Sequence, residues 1–310
     1  MKASNTDLAD INEILLGYFM AGSSWSKLGT EAKTQHDEKA KKATADEYDQ
    51  QYGRAEAMAE YSIAWAKANG YSGNIKKVWW TARPGSMEEA VGRPVDQSKN
   101  PTDILVQFSK GPASGFLGVS AKSTKGKTDI GFKNPGLGTI EKALTIKLKK
   151  IDDDAIAEMV EKFKKEKLST TGSTRKTQIR ANPGIQKVTI KRGAKVLTDI
   201  RDKLFTKLKT LSNEKLRNYI LSDWIDSDSA MFPPYIKATG MGKVAPYTAK
   251  IDDPLKNEKL DYINAEKLTL SKIGDNSIGI KAGSKQIMKM RVKYESEPLA
   301  TSIKFSGDPW

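Results

Sequence analysis

The order of apolar and polar positions predicts two helices at the start of the chain. Residues 7–22, DLADINEILLGYFMAG, are apolar almost all round a helix, which is typical of a buried helix interrupted only by Asn12 and Glu13. Residues 44–70 carry apolar side chains at helical spacing and end in Asn-Gly, a favourable helix end. We therefore expect both helices to contribute to the core.

The pattern then changes to one that is typical of strands. Residues 76–83, KKVWWTAR, predict a short strand, and the apolar runs DILVQFS and GFLGVSAKS predict a β-hairpin that begins at Asp103. If Phe108 faces Gly115 across the turn, Asp103 lies opposite Ser120, and Lys122 projects from the same face. A register shifted by one residue would turn Asp103 away from both.

The rest of the chain predicts a helical region followed by a β-rich one. Residues 141–216 favour helices that are broken at GSTRKTQIR and KVTIKRGAKV. After residue 231 the alternation predicts an antiparallel sheet or small barrel with one wet face. These patterns predict three regions: a core over 1–150, a basic helical region over 151–230 and a β-rich region over 231–310.

The charge of the chain favours a polyanionic partner. The net charge is +14, and in residues 141–216 basic residues outnumber acidic ones two to one. The two predicted breaks hold the residues that we expect to contact phosphates: Arg175, Lys176, Arg180, Lys191, Arg192 and Lys195. Solvated helical faces are the alternative interpretation, and they suit residues 151–167, where both signs of charge alternate.

Composition limits the chemistry available to the protein. The chain has no cysteine and one histidine, His36, in a hydrophilic stretch where we expect solvent exposure. Thiol catalysis, zinc-cysteine sites and chemistry that needs two histidines are therefore excluded. Any catalysis has to use carboxylates, lysines and a hard metal ion.

Residues 121–128, AKSTKGKT, allow two interpretations. A phosphate-binding P-loop needs a glycine at its first position and a helix after its Lys-Thr, so that backbone N–H groups surround the phosphate. Here the first position is Ala121, and the following DIGFKNPGLG contains three glycines and a proline, which do not favour a helix. The alternative, a strand that ends in Ser-Ala-Lys, fits the hairpin better.

The hairpin resembles a known superfamily. Pro101-Thr102-Asp103 followed by a strand, a turn and a strand ending in Ser120-Ala121-Lys122 is similar to the pattern of the PD-(D/E)XK nucleases. The resemblance implies an α/β, restriction-endonuclease-like mixed sheet flanked by helices. It implies that Asp103 and the carbonyl of Ala121 bind Mg²⁺ and that Lys122 orients the attacking water. It also suggests Glu13 of the buried helix as a further ligand.

Ser120 stands where the superfamily usually has Asp or Glu, which weakens the implied metal site without abolishing it. The resemblance thus implies a Mg²⁺-dependent endonuclease acting on double-stranded DNA, with a homodimer as a plausible state. We expect no membrane association, because no apolar run approaches the length of a span, and a location in the cytoplasm, or the host cytoplasm if a phage encodes the chain. A catalytically inactive DNA-binding protein on the same fold and a basic structural nucleic-acid-binding protein are the alternatives.

Overall fold

The computed structural model describes residues 3–96, 100–124, 134–167, 170–225, 231–256 and 258–310. The chain forms two compact units, of which the first comprises Met1–Ile130 and Asp228–Asn257. The second comprises Gly131–Ser227 and Glu258–Trp310. This division differs from the expected one at 150 and 230, because the chain leaves the first unit and later returns to it.

The first unit contains the two predicted N-terminal helices. Its helices are α1 (Asn5–Met20), α2 (Trp25–Leu28), α3 (Thr30–Ala40), α4 (Ala45–Ala68) and α5 (Ser86–Val91). Both long helices begin with a capping box, in which the side chain of Ser4 or Thr44 accepts from the N–H of an acidic residue three positions on. The carboxylate of that acidic residue accepts from the N–H of the cap, so local sequence specifies both helix starts.

A five-stranded mixed sheet forms the centre of the first unit. Its strands, in spatial order, are β1 (Ser72–Trp80), β2 (Ile104–Lys110), β3 (Phe116–Thr124), β4 (Tyr235–Met241) and β5 (Thr248–Asp252). Strands β3 and β4 are parallel, and the other neighbours are antiparallel. The α/β class and the mixed sheet are therefore confirmed.

The β2–β3 hairpin has the predicted register. Ile104 pairs with Val119 and Gln107 pairs with Phe116. Extending this register by one residue sets Asp103 opposite Ser120. The match follows from the apolar alternation of both strands, because a slip by one residue would expose Ile104 and Val119, which are fully buried.

The two faces of this sheet are covered by different elements. Helices α1 and α4 pack on the face that carries Val106 and Val119. On the other face Leu105 and Phe116 pack against Met87 of α5. Asp103, Ser120 and Lys122 belong by alternation to the second face.

The second unit combines helices with an antiparallel sheet. Its helices are α6 (Leu137–Leu144), α7 (Lys149–Lys165), α8 (Gly172–Ala181), α9 (Pro183–Lys209), α10 (Asn213–Ile220) and α11 (Glu258–Ala265). Its strands, in spatial order, are β6 (Leu268–Ile273), β7 (Ser277–Ala282), β8 (Lys285–Tyr294) and β9 (Ile303–Pro309). The apolar sides of α7 and α9 and of this sheet contribute to one core.

Two expectations about these regions are wrong. The segments GSTRKTQIR and KVTIKRGAKV do not break the helices but lie within α8 and α9. Gly193 fits inside α9 because the helix passes so close to Pro298 that a Cβ at residue 193 would lie 2.5 Å from the Cβ of Pro298. The strands after residue 231 are also not one sheet, because β4 and β5 extend the sheet of the first unit.

Within the described residues, every helix is too short or too polar to cross a bilayer.

Candidate active site

The start of β2 and the end of β3 bring Asp103 together with Ser120 and Lys122. The N–H of Asp103 donates to the carbonyl of Val119 at 3.0 Å, and the N–H of Ala121 donates to Oδ2 of Asp103 at 2.7 Å. The side chain of Ser120 and the ammonium group of Lys122 lie close enough to this carboxylate for both to lower its pKa. The three side chains that the sequence predicted to converge therefore do so.

The segment before Asp103 is held by buried polar contacts. Oδ1 of Asn100 accepts from the N–H of Thr102 at 3.2 Å and from its hydroxyl at 2.6 Å, while Nδ2 of Asn100 donates to the carbonyl of Pro233 at 2.9 Å. Gly118 is required beside them, because a Cβ at that position would lie 2.1 Å from Oγ1 of Thr102. These contacts fix where the chain enters β2 and so orient Asp103.

Helix α1 adds Glu13, a second carboxylate, to this end of the sheet. Nε1 of Trp80, the last residue of β1, donates to Oε2 of Glu13 at 3.1 Å. Burial, followed by the nearby carboxylates of Asp103 and Asp10, raises the pKa of Glu13 to about 8, although the hydrogen bond from Trp80 opposes this shift. Glu13 therefore lies near Asp103 at this end of the sheet.

Burial also raises the pKa of Asp103, to about 6, although the hydrogen bonds from Ala121 and Ser120 and the charge of Lys122 lower it. Partial desolvation lowers the pKa of Lys122, and Asp103 opposes that shift, even though the lysine side chain remains exposed. Two acids shifted upward beside a lysine shifted downward are typical of a functional site rather than of a solvated surface.

The backbone of β3 offers one more oxygen. The N–H of Ala121 points towards Asp103, and in a strand the C=O of a residue lies on the same edge as its N–H. The Ala121 carbonyl is therefore directed past the start of β2, towards the carboxylate. With Asp103 and Glu13 it forms a set of oxygen donors, which suits a hard cation such as Mg²⁺.

This donor set contains only two acidic side chains. Among the described residues, no group of three or more His, Cys, Asp or Glu side chains is placed to hold a metal ion. Ser120 lies opposite Asp103 but carries a hydroxyl, so it adds no carboxylate to this set.

A buried polar network behind β3 was not predicted from the sequence. Nη1 of Arg54 donates to Oγ of Ser123 at 3.0 Å, and its Nε donates to the carbonyl of Gly242 at 2.8 Å. Ser123 donates to Oε1 of Gln51 at 2.7 Å, and Asn12 donates to the carbonyl of Gln51 at 3.0 Å. The network joins the neighbours of Glu13 and Lys122, so it connects α1, α4 and the end of β3.

The sequence contained one signal for this network. Gln51 and Arg54 lie on the same side of α4 as Ala55 and Met58, which are fully buried. Polar residues on the apolar stripe of a helix need buried hydrogen-bond partners. That pattern identifies the polar residues, but not the partners that they meet.

His36 is buried, contrary to the expectation of solvent exposure. It lies on α3, where its Nδ1 contacts Oδ1 of Asp37 at 3.0 Å and its Nε2 contacts the hydroxyl of Tyr48 at 3.1 Å. Its ring also packs against Trp25. Both ring nitrogens are engaged, so the histidine has a structural role in the aromatic cluster between α2, α3 and α4.

Four of the six basic residues expected to contact phosphates form hydrogen bonds or ion pairs with other residues of the second unit. Arg175 donates to the carbonyl of Leu299 at 3.0 Å. The other three form ion pairs: Arg180 with Glu297, Arg192 with Glu158 and Lys195 with Asp199. Lys176 and Lys191 have no ion-pair partner among the residues that the structure describes, and Lys191 is exposed on α9.

The P-loop interpretation conflicts with the strand. Residues Ala121 to Thr124, which would begin the loop, continue β3 and pair in parallel with β4. Residues 125–133, which include the glycine and the Lys-Thr of that motif, lie outside the described residues.

Comparisons with known proteins do not assign the chain to a family. A scan against protein-family models gave no match, and a search of the curated proteins found no similar sequence. Function is therefore inferred from the chemistry of the site.

Proposed function

We propose that this protein is a Mg²⁺-dependent DNA endonuclease of the restriction-endonuclease-like type. The observation that carries the proposal is the convergence of Asp103 with Ser120 and Lys122 at one strand end, with Glu13 beside them. The mixed sheet with helices on its faces is compatible with that fold. The net charge of +14 supports a polyanionic substrate.

Each residue has a distinct role in this proposal. Asp103, Glu13 and the carbonyl of Ala121 would hold Mg²⁺, which when bound activates water and stabilises the negative charge that develops at the phosphate. Asp103 is kept in orientation by the N–H of Ala121. Lys122 holds the attacking water next to the phosphorus, and its ammonium group offsets the charge of the transition state.

The burial of the two acids, together with the charge of Asp103 acting on Glu13, also supports a cation at this site. Both carboxylates have raised pKa values, so keeping both ionised at neutral pH is unfavourable in the folded protein. A divalent cation held by Asp103 and Glu13 would remove that penalty, because carboxylates act as ligands in their ionised form.

The test is cleavage of supercoiled plasmid by the full chain with MgCl₂, compared with EDTA. We expect Asp103→Asn and Lys122→Gln each to lower the cleavage rate by about 10²–10⁴-fold, since each removes a group that acts on the reacting phosphate. Asp154→Asn and Lys150→Gln are matched controls, because these residues form an exposed ion pair on α7. Cleavage that is equal in all four variants would contradict the proposal.

A catalytically inactive DNA-binding protein on the same fold is the second candidate. It is favoured by Ser120, which supplies no carboxylate. It is also favoured because the donor set found among the described residues contains two acidic side chains and no third. Ser120→Asp distinguishes the two, because it restores an acid opposite Asp103. If the wild-type protein is an enzyme, this variant lowers the MgCl₂ concentration needed for half-maximal cleavage. If wild type is inactive and Ser120→Asp cleaves, the second candidate is correct.

A basic structural protein is the third candidate, and it rests on the net charge alone. It predicts salt-sensitive DNA binding without cleavage and without any preference for DNA structure. Binding of blunt and structured DNA fragments over a range of NaCl concentrations separates it from the other two.

A further inference from the structure

A cavity of about 370 Å³ lies beside the candidate active site in the first unit. It is lined by Lys77, Trp79 and Trp80 of β1, by residues 28–32 around the start of α3, and by Arg83 and Glu89 near α5. The volume is within the range of small-molecule sites. Trp80 connects the cavity to the candidate active site, because it lines the cavity and its Nε1 donates to Glu13.

The charges of the cavity do not favour a phosphate. Lys77 and Arg83 are balanced by Glu31 and Glu89, and the Arg83 guanidinium makes two hydrogen bonds to the Glu89 carboxylate, at 3.0 and 2.5 Å. A site with equal numbers of cations and carboxylates gives a phosphate no net attraction. Carboxylates do accept hydrogen bonds from the exocyclic amino group of a base, as Asp and Glu do from cytosine.

Aromatic surface in the cavity suits a flat ring. Trp79 and Trp80 both line the cavity, and the ammonium group of Lys77 lies 5.1 Å from the centre of a Trp79 ring. Trp79 also packs against Phe116, which holds its ring in place. Aromatic side chains next to a cation are the elements that bind unpaired bases in single-stranded nucleic acids.

The backbone of β1 adds hydrogen-bonding groups. Strand β1 is at the edge of the sheet, and the N–H of Thr81 donates to the carbonyl of Asp103. By the alternation of an antiparallel ladder, the N–H and C=O of Trp80 point away from β2, towards the open edge. They are a donor and an acceptor of the kind that pairs with the edge of a base.

We propose, on the basis of the nuclease function proposed above, that this cavity receives an unpaired base of the DNA substrate next to the scissile phosphate. The substrate class is then DNA with unpaired nucleotides, such as a bulge or an overhang, rather than uniform duplex. Because the exposed Glu31 carboxylate accepts hydrogen bonds, cytosine and adenine, which carry amino groups, bind better than thymine.

The test is fluorescence anisotropy with the full wild-type chain in EDTA, which prevents cleavage. The probes are a short blunt duplex, the same duplex with a bulged cytosine, one with a bulged thymine and one with an abasic bulge. We expect the cytosine bulge to bind about tenfold more tightly than the blunt or abasic duplex, as one stacked base supplies. The affinity for the duplex with a bulged thymine should lie between these two values.

Two variants locate the effect. Trp79→Ala should remove the preference for a bulged base and leave the affinity for blunt duplex within about twofold. Tyr61→Ala is the control and should change neither value, because Tyr61 is an exposed aromatic residue of α4 outside the cavity lining. Because Trp79 also packs against Phe116, folding is checked by thermal unfolding. Glu31→Gln, at an exposed position, tests the same site independently by reducing the preference for cytosine over thymine.

Several outcomes would overturn the proposal. Equal affinity of wild type for all four probes does so, as does an unchanged preference in Trp79→Ala. Free cytidine that quenches tryptophan fluorescence without competing with the bulged duplex would assign the cavity to a free nucleoside instead. Cleavage without any bulge preference refutes the cavity proposal alone, whereas bulge preference without cleavage in MgCl₂ refutes the nuclease and supports the base site.

Discussion

Asp103 in the first unit and Asp152 in the second are both acids whose pKa is raised by burial, yet their surroundings differ. Oδ1 of Asp152 accepts a hydrogen bond from the hydroxyl of Tyr294 at 2.8 Å, inside the core between α7 and β8. Asp103 instead lies at a strand end with a second acid, Glu13, and the exposed Lys122. Burial alone therefore does not mark a site, and the convergence of several charged groups where a substrate can reach them does.

The same comparison applies to positive charge. The second unit holds all six basic residues expected to contact phosphates, but Arg180, Arg192 and Lys195 are paired there with carboxylates. In the first unit, the exposed Lys122 interacts electrostatically with the Asp103 carboxylate, which also accepts a hydrogen bond from the N–H of Ala121. Charge density along a sequence is thus a weak guide to function, since a charge that is already paired attracts a further ligand less strongly.

We expect the two units to differ most in the stability that is lost when an arginine is replaced by alanine. Arg54→Ala removes hydrogen bonds to Ser123 and Gly242 from a buried network, so we expect a loss of about 2–4 kcal/mol in the free energy of unfolding. Arg180→Ala breaks an ion pair whose arginine is half exposed, and we expect a loss of less than about 1 kcal/mol. Urea unfolding followed by tryptophan fluorescence measures both values.

Arg54→Lys is the control for the first of these variants. It keeps the charge but not the fork of donors, so it should restore only part of the lost stability. Equal losses for Arg54→Ala and Arg180→Ala would contradict the distinction between the buried network and the surface pair.

A smaller change in stability is expected from the titration of the two acids of the site. Glu13 and Asp103 have higher pKa values in the folded chain than in the unfolded one, so the folded state binds more protons between about pH 4 and about pH 8. Their contribution to stability is complete below the unfolded pKa values and is lost as the pH rises through the folded ones. In EDTA we expect the Tm to fall by about 3–6 °C from about pH 5 to about pH 8.5 through these groups.

The double variant Glu13→Gln, Asp103→Asn isolates that contribution, because other groups titrate equally in both proteins. Differential scanning fluorimetry should show a flatter pH dependence for the variant. MgCl₂ should raise the Tm of wild type at about pH 8 and leave that of the variant unchanged. A pH dependence that is identical in the two proteins would refute the raised pKa values.

The smallest effects are expected on the basic surface of the second unit. Arg192→Gln should change DNA affinity by less than about threefold, since this arginine is paired with Glu158. Lys191→Gln, at an exposed position, should reduce the slope of log Kd against log salt by about one if it contacts a phosphate. Filter binding over a range of NaCl concentrations measures both, and a larger change in slope for Arg192 than for Lys191 would contradict the assignment.

Local patterns predicted a large part of the first unit. The starts of α1 and α4 follow from capping boxes, and the hairpin register follows from apolar alternation, which set Asp103 opposite Ser120. Each of these depends on interactions between residues that are close along the chain or joined by a short turn. The sequence by itself therefore determined the position of the carboxylate, the hydroxyl and the lysine.

Tertiary structure decided what surrounds them. Strand β4 pairs with β3 across more than a hundred residues, and this pairing removes β4 and β5 from the expected C-terminal sheet. The contact of Glu13 with Trp80, the burial of Arg54 and the pairing of Arg192 with Glu158 likewise join distant segments. Desolvation and ion pairing depend on which side chains lie close together in the folded chain, and neither residue spacing nor composition determines this.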